Sequence, residues 1–345
     1  MFEAILTICL LAAGEECRDA LLPGYEAASR EACEAALVAR PPKKHPAGHT
    51  TGTPWCKPVG AALPFKEIAP GVFVHRGQIA EPDTDNRGDV SNIGFIIGSD
   101  SVAIIDTGSA RWMGEAIWRA VRARTDLSVS HVILTHTHPD HVFGATAFAD
   151  TGAQFVGHAA LDRALADRQE NYRESLASLI GPVAFLGTEP MSTDITVEDS
   201  LHIDLGDRRI DLRVWPTGHT GTDLTVLDEE TGILFTGDLI FDEHIPALDG
   251  SLRGWQAVLV EMTSLPAIRI VPGHGGPVLD WPAGGVAVER YLRVLAEDTR
   301  AAIDQGQRLG EAVDAIAASE AEHWQLFDAF NARNATVAFT EMEWD

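Results

Sequence analysis

Sorted into apolar and polar positions, the chain is a series of short apolar runs divided by polar turns and by stretches with helical spacing. Val72 to His75, Ile93 to Ile97, Val102 to Ile105 and Val132 to Leu134 read as strands. Leu212 to Trp215, Ile233 to Phe235 and Ile268 to Val271 are further apolar runs of the same kind. Trp112, Met113, Ile117 and Val121 recur at helical spacing and predict a helix over 112–121. A second helix is expected over Ala159 to Arg168, followed by Asn171 to Leu186, where Tyr172, Leu176, Leu179 and Ile180 suit a lid. Val288, Tyr291, Leu292 and Leu295 place a helix over Val286 to Ala302, with shorter ones over Glu311 to Ala318 and Trp324 to Phe330. Val337, Phe339, Met342 and Trp344 suit a closing segment, Asn334 to Asp345, packed onto the main body. Strand alternating with helix, twice over, gives an α/β chain of two sheets with helices outside. Periodicity leaves the particular α/β fold open.

The first 57 residues differ from the rest. Phe2 to Leu11 suits a buried strand, and Ser29 can cap a helix over Arg30 to Ala39, with Glu31 meeting its dipole and Pro41 and Pro42 ending it. Lys43 to Pro54 reads as a linker, and its Lys43, Lys44 and His45 as a solvated patch. All four cysteines, Cys9, Cys17, Cys33 and Cys56, lie here at wide spacing, without the close pair of a structural zinc site, so two disulfides are expected. A nested pairing, Cys17 with Cys33 and Cys9 with Cys56, is one of three possibilities and the one preferred; four reduced, buried cysteines are the plain alternative. The division expected is 1–57 as a small N-terminal module, 58–283 as the main domain and 284–345 as a helical extension. Ala4 to Ala13 is too short to span a membrane and, with Glu3 before it and no Lys or Arg, does not resemble a standard signal peptide.

Composition narrows the functions. Among 345 residues, 51 Asp and Glu against 26 Lys and Arg leave a formal charge of −25. Nucleic-acid phosphates call for a basic surface, so such partners are disfavoured.

The chemistry concentrates in one stretch, Val132-Ile-Leu-Thr-His-Thr-His-Pro-Asp-His-Val142. The apolar run ends as a strand and Pro139 opens a helical segment, so His136, His138, Asp140 and His141 sit at a strand-to-helix corner. His136 and His138, two apart on an extended end, point the same way and can grip one ion, while Asp140 and His141 face a second position. Imidazole and carboxylate are zinc donors. A lone loop histidine is ordinarily just solvated, but four candidate ligands in six residues behind a hydrophobic strand are not ordinary core chemistry.

This run resembles the signature of the metallo-β-lactamase superfamily. Asp106-Thr-Gly, Gly218-His219-Thr-Gly-Thr, Gly237-Asp238 and Pro272-Gly273-His274-Gly follow in the order of that family's remaining motifs, across about Phe65 to Asp280. The resemblance implies an αβ/βα four-layer sandwich and two Zn2+ ions per chain. His136, His138 and His219 would hold one ion, and Asp140, His141 and His274 the other, with Asp238 bridging. It implies a hydrolase whose metal-bound hydroxide attacks an ester, thioester, lactone or lactam carbonyl. Asp140 would orient the water, and Asp106 and Thr135 would brace the ligands. Some relatives use iron, so a persulfide dioxygenase is the alternative. His138 argues against the flavoprotein branch, which has a carboxylate there. Tyr291 with Arg290, Arg293 or Arg300 could serve substrate binding as in glutathione thioesterases, whereas His75 suits core or rim. The cysteine-bearing start, Pro246-Ala-Leu-Asp-Gly-Ser-Leu-Arg-Gly-Trp255 and the Trp-rich tail resemble the SoxH-related quinoprotein relay system zinc metallohydrolases. That likeness implies a periplasmic protein with a small-molecule substrate. A quinoprotein or cytochrome is a possible partner, and a non-catalytic accessory role is the third alternative.

Overall fold

The computed structural model describes residues 1–10, 16–42, 49–50 and 52–344; Lys43, Lys44 and His45 of the expected linker lie outside them. Two sheets face each other. The first has seven strands, in the order Ile195–Val197, Gln154–His158, Ser128–Leu134, Ser101–Ile105, Ile93–Ile97, Val72–His75 and Lys66–Ala69. The second has six, in the order Ser200–Asp204, Arg209–Val214, Leu224–Asp228, Ile233–Phe241, Arg269–His274 and Leu279–Asp280. Alternation along each strand sends side chains to both faces. Ala103, Ile105 and Ile133 meet Val226, Phe235 and Val271 between the sheets. Val102, Ile104, Val132 and Leu134 face outward, onto Ile117 and Val121 of the helix Arg111–Arg122. Behind the second sheet, Leu234, Ile240 and Ile270 share a core with Trp255, Leu292 and Phe339 from the helices Leu252–Met262, Val286–Asp304 and Phe327–Met342. The result is the αβ/βα four-layer sandwich.

Several boundaries differ from the sequence reading. The expected break near Arg168 is absent: Leu161–Ile180 is one helix, because Leu161, Leu165, Leu176 and Ile180 keep one buried stripe through it, and only Pro182–Phe185 is set off. Leu176 and Ile180 are therefore core residues, not a lid, and Leu179 is exposed. Leu326 has positive φ (60°), so the expected helix over Trp324–Phe330 starts only at Phe327 and runs on through the segment read as a tail. Phe339 and Met342 pack as expected, but Trp344 is 84% exposed.

The N-terminal module is a four-stranded sheet in which Phe2–Cys9 pairs with Cys17–Ala27, His49–Thr50 and Trp55–Pro58. Ser29 caps Arg30–Ala39 as expected, its hydroxyl accepting from the Ala32 N–H at 3.2 Å. The nested disulfides are not formed. Cys9 and Cys17 are direct cross-strand partners, with Cα atoms 4.0 Å apart, and bond to each other. Cys33, on the helix, reaches Cys56 on the strand beneath it.

The module is joined to Arg111–Arg122 by buried charge. Glu115 accepts from Arg18 (Nη1 to Oε2, 2.9 Å) and from Arg111 (Nε to Oε1, 3.0 Å), while Arg111 also reaches the Leu21 carbonyl. Burial alone would raise the Glu115 carboxyl, but Arg18 and Arg111 outweigh it and hold it below the usual value. Its stabilising contribution is therefore complete above the ordinary glutamate pKa and declines as pH falls below it. Removing one partner of such a network leaves buried charge uncompensated, at roughly 3–5 kcal/mol. Glu115→Ala should accordingly lower the melting temperature at pH 7 by roughly 4–7 °C, read by calorimetry; a change of under about 2 °C would mean the network contributes little.

Candidate metal centre

Each expected ligand stands at a strand end or in the turn that follows. His136 and His138 leave Ser128–Leu134, Asp140 and His141 lie on the short helix Pro139–Val142, and His219 follows Arg209–Val214. Asp238 lies near the end of Ile233–Phe241, and His274 ends Arg269–His274. The two sheets bring all seven together. His136, His138, His219 and Asp238 form one cluster and Asp140, His141 and His274 another, the ligand atoms within each lying inside 4.8 Å of one another. Asp238 stands between them: its Oδ2 is 3.6 Å from His136 Nε2, 3.5 Å from His219 Nε2 and 3.3 Å from His274 Nε2, and its Oδ1 is 3.2 Å from His141 Nε2. Asp140 Oδ2 is 3.3 Å from His274 Nε2. Gly273 permits this approach, since a Cβ there would lie 1.9 Å from Asp238 Oδ1.

Every imidazole is held by its outer nitrogen. Nδ1 of His219 meets the Ala247 carbonyl (2.6 Å), that of His274 the Val90 carbonyl (2.9 Å), that of His141 Asp106 Oδ2 (2.8 Å) and that of His136 Thr135 Oγ1 (3.0 Å). His138 is turned the other way, its Nε2 3.2 Å from Asp249 Oδ2 and its Nδ1 3.0 Å from His219 Nε2. With the outer nitrogen as donor, the inner one of each ring is the atom left to offer a lone pair once the ring is neutral, as metal-ligating histidines require. Asp106 also accepts from the Thr135 N–H and hydroxyl, so both residues brace the corner as expected.

The centre fits cations on its own geometry. His136 Nε2, His141 Nε2 and Asp238 Oδ1 are sealed from solvent without any hydrogen-bond partner, which is costly for buried polar atoms. Electrostatics concur. Burial opposes charge on His141, yet Asp238, Asp140 and Asp106 drive its pKa well above the ordinary value; the same contest lifts His274 to about 9. Burial and His138 push His219 down to about 3, and burial with His141 pushes His136 well below normal. For Asp238, burial is outweighed by His274 and His141, which hold its carboxyl well below the usual range.

A cleft of about 150 Å³ opens onto Asp140, Asp238 and His274, walled also by Pro82, Val90, Phe241, His244, Ala247 and Phe330. Three residues in or near it escape the sequence motif. Asp249, the partner of His138, is itself paired with Arg168 of the helix Leu161–Ile180, whose guanidinium also bonds the Tyr172 hydroxyl at 3.2 Å. Of the expected lid residues, only Tyr172 thus approaches the centre. His244 and Phe330 reach the cleft because residues 243–245 bond to Gln325, through Gln325 N–H to the Glu243 carbonyl (2.8 Å) and Ile245 N–H to the Gln325 carbonyl (3.1 Å). Polar residues in the turn after Ile233–Phe241 were the only sequence signal. The residues offered for substrate binding on Val286–Asp304 do otherwise: Tyr291 is buried and donates to Asn331 (2.9 Å), Arg290 pairs with Glu320 and Arg293 with Glu297. Tyr291 is a core residue here because its ring lies among Leu292, Leu295 and Trp324. Of the core and rim positions expected for His75, the structure shows the core one: it is buried, between the Pro64 carbonyl and Asp89.

The chain belongs to the metallo-beta-lactamase superfamily, whose family model matches residues 86–274. An uncharacterized protein of Mycobacterium tuberculosis is 30% identical over 189 residues, 52% of this chain and 81% of that protein. An acyl-coenzyme A thioesterase of Bos taurus, MBLAC2, is 26% identical over 241 residues, 61% of this chain and 80% of its own. Among solved structures, a metallo-beta-lactamase from Pontibacter korlensis superposes with a TM-score of 0.55 at 20% identity, covering 67% of this chain and 99% of that one. The DIM-1 metallo-beta-lactamase does so at 0.53 and 18%, over 67% and 97%.

Because His141 and His274 hold protons that a metal must displace, zinc added to metal-free protein at pH 7 should release protons, with affinity rising with pH up to about 9. Calorimetry in buffers of different ionisation enthalpy reads this directly; a binding heat independent of buffer contradicts it.

Proposed function

We infer that the chain is a zinc hydrolase with two ions per molecule, acting on an ester, thioester, lactone or lactam. The observation that carries this reading is the convergence of five inner imidazole nitrogens and two carboxylates, three of their atoms buried without a partner, beside a cleft. His136, His138, His219 and Asp238 would hold one ion, and Asp140, His141 and His274 the other, with Asp238 touching both. Bound there, such ions make a water molecule acidic enough to attack at neutral pH and polarise the carbonyl oxygen. The protein's own part is orientation. Asp106, Thr135, Asp249 and the Ala247 and Val90 carbonyls fix the rings, and Asp140, open to the cleft, orients the attacking water. The bovine relative's name favours a thioester among the possible substrates. We assign the chain to an oxidising compartment such as the periplasm on the strength of its two disulfides.

Histidine and carboxylate donors also suit iron. Protein purified without added metal should carry zinc and hydrolyse at least one of a panel of thioesters, lactones and β-lactams, and His136→Ala should reduce that rate at least 100-fold while circular dichroism stays native. One iron per chain with oxygen uptake on a persulfide would replace the hydrolase with a dioxygenase. An inert protein that binds a cytochrome or quinoprotein would replace it with an accessory role.

A further inference from the structure

His244 is buried to 4% exposure in the wall of the cleft, yet it belongs to neither ligand cluster. Its ring stands 5.0 Å from that of Phe330, 5.5 Å from Phe241 and 5.0 Å from His274. The Nδ1 atom lies 2.5 Å from the Ile245 carbonyl oxygen and so carries the donated hydrogen. In the neutral ring Nε2 is then an acceptor. Among the described residues nothing bonds to it, and it is not one of the polar atoms sealed from solvent. The cleft is what this atom faces.

Its surroundings sharpen the consequence. Pro82, Val90, Ala247 and Phe330 supply the apolar part of a lining that also holds the carboxylates of Glu81 and Asp140, and a fixed neutral acceptor beside that apolar part discriminates strongly. A site built around a hydrogen bond rejects an analogue lacking the donor, because the buried acceptor is then left unpaired. Size adds a second constraint. A cavity of about 150 Å³ accommodates one benzene-sized group, and the ions would share the 150 Å³ available here.

Resting on the hydrolase reading above, we propose that His244 is a specificity residue: its Nε2 accepts a hydrogen bond from a hydroxyl or N–H close to the scissile carbonyl, while Phe241 and Phe330 hold a compact apolar group. The substrate class is a short hydroxyacyl or amidoacyl ester or thioester. Phe330 comes from the helix Phe327–Met342, so the C-terminal extension supplies part of the pocket.

The test compares 3-hydroxybutyryl, butyryl and octanoyl thioesters on the zinc-loaded full chain, with calorimetric binding of 3-hydroxybutyrate and butyrate in parallel. Wild-type protein should favour the hydroxyacyl over the butyryl thioester at least 10-fold in kcat/KM and cleave the octanoyl compound least well. His244→Asn keeps an amide to donate to Ile245 but has no atom at the Nε2 position, and its preference should fall below about two-fold. His244→Gln places an amide oxygen there and should recover part of it; native melting curves for both variants exclude misfolding. Equal use of the two short thioesters by wild type, or an unchanged preference in His244→Asn, overturns the pocket while leaving the hydrolase reading standing. No cleavage of these thioesters or of the lactone and β-lactam panel, with tighter binding of 3-hydroxybutyrate that His244→Asn abolishes, overturns the hydrolase reading and keeps the pocket. No cleavage and equal binding overturns both.

Discussion

Lone pairs and carboxylates aimed at one another inside a protein repel unless positive charge lies between them. That constraint shapes this molecule. Five rings are pinned by their outer nitrogens, to Thr135, Asp249, Asp106, Ala247 and Val90, so that their inner nitrogens face Asp238 or each other. Protons on His141 and His274 can supply some of the missing charge, which is why both pKa values are driven upward. The arrangement stores affinity for cations in the same hydrogen bonds that orient the rings.

Two sheets are needed to hold such a centre, because no single loop could bring seven polar groups together in a buried place. Asn92 shows how they are joined: it donates from Nδ2 to the Pro272 carbonyl at 2.8 Å and from its N–H to the Gly273 carbonyl at 2.7 Å, linking the first sheet to the strand end that carries His274. The C-terminal extension acts on the opposite rim. Asn334 accepts from Leu248 N–H and donates to the Pro246 carbonyl, and Glu341 caps Leu252–Met262 through Ser251 and Leu252 N–H. The loop bearing His244, Ala247 and Asp249 is thereby braced from behind by a segment that lies 80 or more residues away in sequence.

Legibility in the sequence followed range of interaction. Strands such as Val102 to Ile105 and the His136–His141 corner declare themselves, because apolar runs and ligand spacing are local signals. The ligand set could be collected because His219, Asp238 and His274 each follow an apolar run with glycine beside them. Pairings decided by tertiary contact could not be read. Cys9 bonds to Cys17 because antiparallel pairing of their strands aligns them, a register no spacing of cysteines reveals. Tyr291 and Arg290 turn inward to Asn331 and Glu320 because the neighbouring helices offer partners there. Asp249, His244 and Phe330 escaped for the same reason: they meet the centre only through folding, and a polar turn after Ile233–Phe241 is too common a feature to mark them.

The central claim is that this pocket of inward-facing nitrogens and carboxylates exists to hold two cations. Anomalous scattering from crystals of zinc-loaded protein, recorded on either side of the zinc edge, addresses it most directly. Two peaks are predicted, one amid His136, His138 and His219 and one amid Asp140, His141 and His274, with Asp238 against both. A map with no peak among these residues, or with zinc bound elsewhere on the chain, would contradict the account.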